Sequence, residues 1–90
     1  MTPIIYSTKV CAYCKQAKQY LKHKGLPFTE VMLDEMTFDE RNKIEKRFNY
    51  ARVPIIEFPD GSHLLGYNMA KLSDKVNKIL DQFEQDTLLV

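Results

Sequence analysis

Residues 3–14 read PIIYSTKVCAYC, and the class of fold follows from the order of elements that they predict. It begins with a short apolar run, residues 3–7, that is rich in strand-forming residues. Residues 8–10 then lead into a helical pattern that begins near Cys11. The order strand, turn, helix predicts the first half of a βαβ unit, with a pair of cysteines at the start of its helix.

The predicted first helix has one apolar face and one charged face. Cys14, Ala17 and Leu21 recur at spacings of three and four, so they form an inward stripe. A separate stripe of lysines has the same spacing: Lys15, Lys18 and Lys22. Residues 24–27, KGLP, end the helix, because Gly25 is free to take the left-handed cap conformation and proline follows soon after.

A second strand and a second helix follow this unit. Residues 28–33 predict a strand, because apolar residues occupy both of its alternating faces. Thr37 and Glu40 have the spacing of a capping box, which predicts a helix over residues 37–49. The residues near its inward stripe are Phe38, Arg41, Ile44 and Phe48.

The second half of the chain predicts a hairpin and a third helix. Residues 53–58 form a strand, residues 59–62 (PDGS) a tight turn, and residues 63–65 the return strand. A helix begins at Met69 with Asn68 as its N-cap. Its apolar positions are Leu72, Val76, Ile79, Leu80 and Phe83.

The predicted order is β-α-β-α-β-β-α in a single domain over residues 1–90. The first pair of strands should be parallel with a right-handed crossover, because a helix joins them, and the last pair should form an antiparallel hairpin. We therefore expect an α/β fold with a four-stranded mixed sheet and helices on both faces. The apolar tail, residues 87–90, is expected to pack beside the end of the third helix.

Composition and charge exclude several classes of protein. With 44% hydrophobic and 28% charged residues, the chain is not typical of disordered or collagen-like sequences. A net charge of +1 gives no support for a nucleic-acid or anionic-membrane partner. The apolar runs span only a few residues, against about 20 for a membrane helix and about 7 to 15 for the core of a signal peptide. We expect a cytoplasmic protein.

The chemistry is concentrated in residues 11–14, CAYC. A C-x-x-C motif at the start of a helix in a βαβ unit is typical of thioredoxin-like redox centres. The helix N-terminus stabilises a thiolate on Cys11, and thiols in such settings have pKa values of about 3.5 to 7.5. Cys11 is therefore the candidate nucleophile, and Cys14, one turn further on the inward stripe, is the candidate resolving thiol. Lys9 adds positive charge nearby.

The cysteine pair has other interpretations. It could be structural, with no redox role. A zinc site usually takes four ligands, and the histidines that could add to the pair, His23 and His63, lack paired spacing. An iron–sulfur cluster shared between subunits would need ligands from outside the chain.

The dithiol followed by Val53-Pro54 and by Gly66-Tyr67-Asn68 makes nearly the whole chain resemble the glutaredoxins, small proteins of the thioredoxin fold. The CAYC motif resembles the family's C-P-Y-C, and Val53-Pro54 is similar to its T-V-P. This resemblance implies a cis Val53–Pro54 peptide that faces the dithiol, with the backbone of Val53 pairing with the substrate. From the residues alone, Pro54 is expected to begin a strand in the usual trans form, and only the resemblance reverses this expectation.

The resemblance also implies glutathione as the reductant. It assigns the glutathione contacts to Lys9, Tyr13, Arg52, Val53, Pro54, Gly66, Tyr67 and Asn68. Lys9 and Arg52 would meet the glycyl carboxylate, and the helix start at Asn68 would offer N–H groups to the γ-glutamyl carboxylate. Each contact has a simpler reading as a solvated charge, a packed aromatic residue or an ordinary N-cap.

The chain departs from the family's pattern at several positions. Ala12 replaces a proline, Arg52 a threonine and Tyr67 the second glycine of the G-G turn, and Asn68-Met69 lacks the usual acidic residue. These changes leave room for a glutaredoxin-like electron donor that is reduced by thioredoxin reductase.

We predict a monomeric, glutathione-dependent dithiol-disulfide oxidoreductase that reduces protein disulfides and glutathione mixed disulfides. We expect no metal and no tightly bound cofactor. Ribonucleotide reductase is a substrate that the resemblance implies. One alternative is the donor reduced by thioredoxin reductase, and the other is a non-catalytic module that binds a metal or an iron–sulfur cluster.

Overall fold

The computed structural model describes residues 2–88, with side chains described for residues 2–82. The predicted order of strands and helices is present, with a short 3₁₀ turn added after the second strand. The elements are β1 (Ile4–Ser7), α1 (Ala12–His23), β2 (Thr29–Met32), the 3₁₀ turn (Leu33–Glu35), α2 (Phe38–Phe48), β3 (Ile55–Glu57), β4 (His63–Leu65) and α3 (Met69–Leu88). The side chain of Phe83 and the end of the apolar tail lie outside the described residues.

The sheet has four strands in the order β2-β1-β3-β4. β1 and β2 are parallel, with Ile4 opposite Thr29, as expected for strands joined by a helix. β1 and β3 are antiparallel, and so are β3 and β4. The mixed sheet predicted from the sequence is therefore confirmed, and the order of the strands places the carboxyl end of β1 in the middle of the sheet.

Each face of the sheet has its own apolar core. On one face, helices α1 and α3 cover the sheet, and the fully buried residues there include Leu21 of α1, Ile56 of β3 and Val76 of α3. On the other face, α2 packs through Phe48 against Ile55, in a second core. Helices therefore cover both faces of the sheet. This short chain thereby buries more apolar surface than it could with one face of the sheet exposed to solvent.

Local signals set the ends of the helices as predicted. The hydroxyl of Thr37 accepts the N–H of Glu40 at 3.2 Å, so Thr37 caps α2. The chain leaves α2 at Asn49, which takes the left-handed conformation with φ 51°. Gly25 does the same after α1, with φ 71°. At the start of α3, the side-chain oxygen of Asn68 accepts the N–H of Lys71 at 3.0 Å.

The turn between β3 and β4 is also held as its sequence predicts. Gly61 has a φ of 89°, which glycine adopts without steric cost. The carboxylate of Asp60 accepts the backbone N–H of Ser62 at 2.9 Å and pairs with Lys75 of α3. The hydrogen bond from Lys75 holds the pKa of the Asp60 carboxyl well below its usual range. The hairpin is thereby tied to the third helix.

The structure corrects some of the predicted boundaries. β2 ends at Met32, because Leu33 is drawn into the 3₁₀ turn, although it stays buried in the second core. β3 begins at Ile55 instead of residue 53, since Pro54 has no N–H to donate to the ladder. Phe38 was predicted on the inward stripe of α2 but is 81% exposed. It lies in the first turn, ahead of the turns that pack Ile44 and Phe48 on the sheet.

A hydrogen bond and an ion pair to one carboxylate, here called the polar link, join β1, β2 and α1 at the carboxyl end of β1. The buried hydroxyl of Ser7 donates to the carboxylate of Glu30 at 2.9 Å, and Lys18 forms an ion pair with the same carboxylate at 2.5 Å. The hydrogen bond from Lys18 lowers the pKa of Glu30 from its ordinary value of 4.5, and Ser7 adds to this against the opposing effect of burial. The charged form of Glu30 is therefore the one that stabilises the fold.

This link predicts how stability depends on pH. A carboxyl whose pKa is lower in the folded state stabilises the protein above its unfolded pKa, and this contribution is lost as the pH falls through the folded pKa. We expect Glu30→Gln to lower the free energy of unfolding at pH 7 by no more than about 1 kcal/mol, since the pair is partly exposed. In urea unfolding, the deficit should be smaller at a pH below 4.5, the ordinary pKa of this carboxyl, than at pH 7.

The exposed Glu35 provides the control for this experiment. Glu35→Gln should leave the free energy of unfolding unchanged at both pH values. A Glu30→Gln deficit of equal size at both pH values would show that the carboxylate charge does not contribute.

Candidate active site

The dithiol lies where the chain passes from the middle of the sheet into α1. Cys11 is the N-cap residue of α1 and has an extended backbone, with φ −151°. Its sulfur accepts the backbone N–H of Cys14 at 3.1 Å. The first turn of the helix has no acidic residue. A thiolate on Cys11 would thus meet a hydrogen-bond donor and the positive end of the helix dipole, without an opposing charge from that turn.

Cys11 and Cys14 are joined by a disulfide, with their Cα atoms 5.2 Å apart. Cys14 is only 1% exposed, whereas Cys11 is partly exposed. The disulfide links residues one helical turn apart, so it closes a short loop and constrains little of the unfolded chain. The pair is therefore suited to exchange more than to structural cross-linking, and Cys11 is the sulfur that a second molecule can approach.

The loop before the dithiol is held from the side of β2. The carboxylate of Asp34, in the 3₁₀ turn, accepts the backbone N–H of Lys9 at 2.9 Å. Lys9 itself is exposed, and Val10 is 96% exposed. This contact fixes the backbone of the loop and leaves its side chains free to meet a partner.

A groove of about 730 Å³ is lined at one end by Tyr13, and neither Cys11 nor Cys14 is among its lining residues. Its residues come from the start of α1, the connection between α2 and β3, strand β4 and the start of α3. They are Tyr13, Tyr50, Arg52, Val53, His63, Leu64, Leu65, Gly66, Tyr67, Asn68 and Lys71. Tyr13 lies between the two cysteines in sequence, so one residue belongs both to the dithiol motif and to the lining of the groove.

The groove brings together most of the residues that the sequence singled out. Those on its lining are Tyr13, Arg52, Val53, Gly66, Tyr67 and Asn68. Lys9 and Pro54 are not among the lining residues, but Pro54 contributes through its carbonyl, which accepts the N–H of Gly66 at 2.8 Å. The Val53–Pro54 peptide bond is cis, as the resemblance implied.

Two tyrosines form the wall next to the dithiol. The rings of Tyr13 and Tyr67 are stacked, with centroids 5.8 Å apart and planes at 19°. Tyr13 remains 60% exposed, so the stack presents an aromatic surface to solvent beside the cysteines. Tyr67 is thus both a packed aromatic residue and part of the site, because its partner in the stack is Tyr13.

Gly66 allows the chain to turn closely beneath Tyr50. It has a φ of 78°, and a Cβ atom at this position would lie 2.9 Å from the hydroxyl oxygen of Tyr50. Any other residue there would meet both backbone strain and this contact. The turn from β4 into α3, and with it one side of the groove, therefore depends on glycine.

We expect Gly66→Ala to lower the free energy of unfolding by about 1 to 3 kcal/mol and to weaken binding in the groove. Thermal unfolding and substrate KM measure the two effects. Adding Tyr50→Phe, which removes the crowded hydroxyl, should recover part of the loss, while the strain of the positive φ persists. No recovery in the double variant would show that the contact with Tyr50 is not responsible.

Several lining residues were missed by the sequence analysis. They are Tyr50, His63, Leu64, Leu65 and Lys71. A signal existed for Lys71, because the N-cap role of Asn68 places Lys71 in the same first turn of α3. Tyr50 lies in the connection between α2 and β3, and the others lie on β4. The hairpin was predicted, but residue spacing does not reveal that these segments meet beside Tyr13 and the start of α3.

The described residues hold neither a cluster of metal ligands nor a membrane-spanning helix. They contain no group of three or more His, Cys, Asp or Glu residues placed to hold a metal ion. Among the helices described, none has both the length and the apolar character needed to cross a membrane.

The fold and the dithiol together define a redox protein of the thioredoxin-fold class. The family model of glutaredoxin matches residues 4–64, which is more than half of the chain. The chain belongs to the glutaredoxin family, whose members are thiol-disulfide oxidoreductases. The fold and family expected from the sequence are thereby confirmed.

Individual relatives agree with this assignment. A glutaredoxin-like 8.6 kDa protein of the rubredoxin operon of Clostridium pasteurianum is 36% identical over 75 residues, which cover 82% of this chain and 96% of that protein. Glutaredoxin 3 of Escherichia coli K12 is 37% identical over 62 residues, covering 69% and 72% respectively. The crystal structure of a glutaredoxin from Archaeoglobus fulgidus superimposes with a TM-score of 0.68 at 29% identity, over 80% of this chain and 82% of that one.

Proposed function

We propose that residues 1–90 form one glutathione-dependent domain that reduces protein disulfides and glutathione mixed disulfides in the cytoplasm as a monomer. The observation that carries this proposal is the groove lined by Tyr13, the residue that lies in sequence between a partly exposed Cys11 and a buried Cys14. A small thiol bound there has its sulfur close to the accessible cysteine. We assign Cys11 as the nucleophile and Cys14 as the resolving thiol.

The reaction proceeds by thiol-disulfide exchange. The Cys11 thiolate attacks one sulfur of the substrate disulfide, forming a mixed disulfide and releasing the other sulfur as a thiolate, which takes a proton from water. The Cys14 thiolate then attacks the sulfur of Cys11 and releases the second substrate thiol. Two molecules of glutathione return the resulting Cys11–Cys14 disulfide to the dithiol and leave as glutathione disulfide, so two electrons pass in each cycle.

The groove offers partners for the glutathione moiety. Arg52 supplies a guanidinium for a carboxylate, and the start of α3 at Asn68 offers backbone N–H groups for another. Val53 lies beside the groove and is assigned to pair through its backbone with the cysteinyl part of the ligand. Lys9 is outside the lining but exposed on the loop before Cys11, where it adds positive charge near the entering anion.

A second electron source is favoured by one observation. Tyr67 stacks on Tyr13, and this places an aromatic ring in the turn where the family pattern has a glycine. The ring reduces the room beside the dithiol that a small thiol would use. We therefore keep thioredoxin reductase as an alternative reductant, with the same cysteine roles.

Ribonucleotide reductase is the protein substrate that we propose to test first.

The experiment follows NADPH oxidation while the protein reduces a peptide–glutathione mixed disulfide. One arm contains glutathione and glutathione reductase, and the other contains thioredoxin reductase alone. Our proposal predicts turnover in the glutathione arm and none above background in the other. Turnover confined to the thioredoxin reductase arm would move the assignment to the alternative, and no turnover in either arm would contradict both.

A further inference from the structure

The charge along the groove has one sign. Among the described residues that line it, Arg52 and Lys71 are permanent cations at neutral pH, and none is a carboxylate. Neither cation appears in the ion pairs of the described residues. A ligand in the groove therefore meets positive charge that no lining residue compensates.

The backbone of Lys71 is fixed relative to the rest of the groove. Its backbone N–H donates to the side-chain oxygen of Asn68 at 3.0 Å, and the N–H of Leu72 donates to the carbonyl of Asn68 at 2.9 Å. These bonds set the first turn of α3 directly after Tyr67 and its stack on Tyr13. The cation thus approaches the groove from the α3 side, whereas Arg52 approaches from the connection between α2 and β3.

Aromatic and aliphatic side chains supply part of the remaining lining, beside the polar His63 and Asn68. The tyrosine stack forms one part of the lining, and the aliphatic residues Val53, Leu64 and Leu65 form another. The volume of about 730 Å³ lies within the range of small-molecule sites, about 300 to 1,000 Å³. The groove is therefore suited to a small organic anion with an apolar portion.

We propose that this groove selects small thiols that carry carboxylates but no free ammonium group, with Arg52 and Lys71 as the residues that determine this specificity. The proposal rests on the proposed function, because glutathione has suitable carboxylates together with an ammonium group on its γ-glutamyl residue. In the groove that ammonium lies near the cations Arg52 and Lys71, and no carboxylate among the described lining residues can pair with it. Acylating it removes the like-charge repulsion and keeps the attraction of the carboxylates.

A matched pair of substrates isolates this charge. The 2-pyridyl mixed disulfides of glutathione and of N-acetylglutathione, acetylated on the γ-glutamyl amine, differ in charge by that single ammonium. The Cys11 thiolate attacks the glutathionyl sulfur, and 2-thiopyridine leaves with the electron pair and takes up a proton. Cys14 then displaces the glutathionyl thiol from Cys11, which oxidises the protein dithiol. The absorbance of the released 2-thiopyridone gives the second-order rate constant of the reduced protein.

We expect the acetylated substrate to react about three to ten times faster, the size of effect that one or two charge interactions near water produce. Changing both Arg52→Gln and Lys71→Gln should reduce this preference to less than about twofold. Raising the salt concentration from about 0.01 M to about 1 M should also reduce it, because the Debye length falls from about 30 Å to about 3 Å. The preference is a ratio between two substrates, so a variant that is merely less stable does not change it.

Lys43→Gln is the matched control, because Lys43 is an exposed lysine of α2 that is absent from the groove lining. It should keep the full preference. Equal rates for both substrates in the unmodified protein, or a preference that survives in the double variant, would overturn this proposal and leave the proposed function intact. No release of 2-thiopyridone from either substrate would contradict the proposed function and this proposal with it.

Discussion

Replacing Cys11 by serine is expected to lower oxidoreductase activity by about a thousandfold or more, because a serine hydroxyl is not ionised near neutral pH and cannot form a disulfide. The structure makes Cys11 the accessible sulfur at the N-terminus of α1, whereas Cys14 is 1% exposed. Loss should occur with protein disulfides and with glutathione mixed disulfides, measured as the initial rate of NADPH oxidation in the coupled assay.

Cys14→Ser is the matched variant, because it removes one sulfur from the same helical turn. It should stop the reduction of protein disulfides, since no internal thiol then resolves the mixed disulfide on Cys11. Deglutathionylation should continue, because free glutathione can take over that step. Equal loss of both activities in the two variants would contradict the division of roles between the cysteines.

Leu21→Ala is expected to produce the largest loss of stability. Leu21 is fully buried in the core between α1, α3 and the sheet, where it lies with Ile5, Ile56 and Val76. Replacing a buried leucine by alanine removes transfer free energy and leaves a cavity, at a cost of about 2 to 5 kcal/mol. For a domain of this size each kcal/mol lowers Tm by about 4 to 8 °C, so we expect a decrease of at least about 8 °C.

Val10→Ala is the control for this measurement. Val10 is 96% exposed, so its truncation should change the free energy of unfolding by no more than about 0.5 kcal/mol. A Leu21→Ala variant as stable as the Val10→Ala variant would show that the core on the α1 side does not hold the fold together.

Much of the fold could be predicted because its signals are local. The capping box at Thr37 and the turn around Gly61 act within a few residues, and the structure confirms both. The sequence pattern gave a wrong prediction where contacts with other parts of the fold determine whether a side chain is buried. Phe38 has the spacing of an inward residue, yet it is exposed, because spacing does not show how far the sheet extends beneath a helix.

The candidate site could be predicted only in part. Cys11 was placed at the helix start by its motif, and the resemblance supplied Arg52 and the cis Val53–Pro54 bond. The hairpin that carries His63 was predicted, but its position beside residues from α1 and α3 was not, because that position depends on how the sheet packs against the helices. The stack of Tyr13 on Tyr67 likewise joins residues that are distant in sequence. Such contacts depend on tertiary structure and leave no pattern in spacing.

The proposed chemistry requires Cys11 to be an ionised nucleophile and Cys14 to be protected from solvent. Alkylation of the reduced protein with iodoacetamide across pH, with the modified cysteine identified by mass spectrometry, tests this directly. We predict modification of Cys11 before Cys14, with the rate reaching half its plateau between about pH 3.5 and about pH 7.5, the range of thiols at helix N-termini. Preferential modification of Cys14, or a midpoint near the ordinary thiol value of about 8.5, would contradict it.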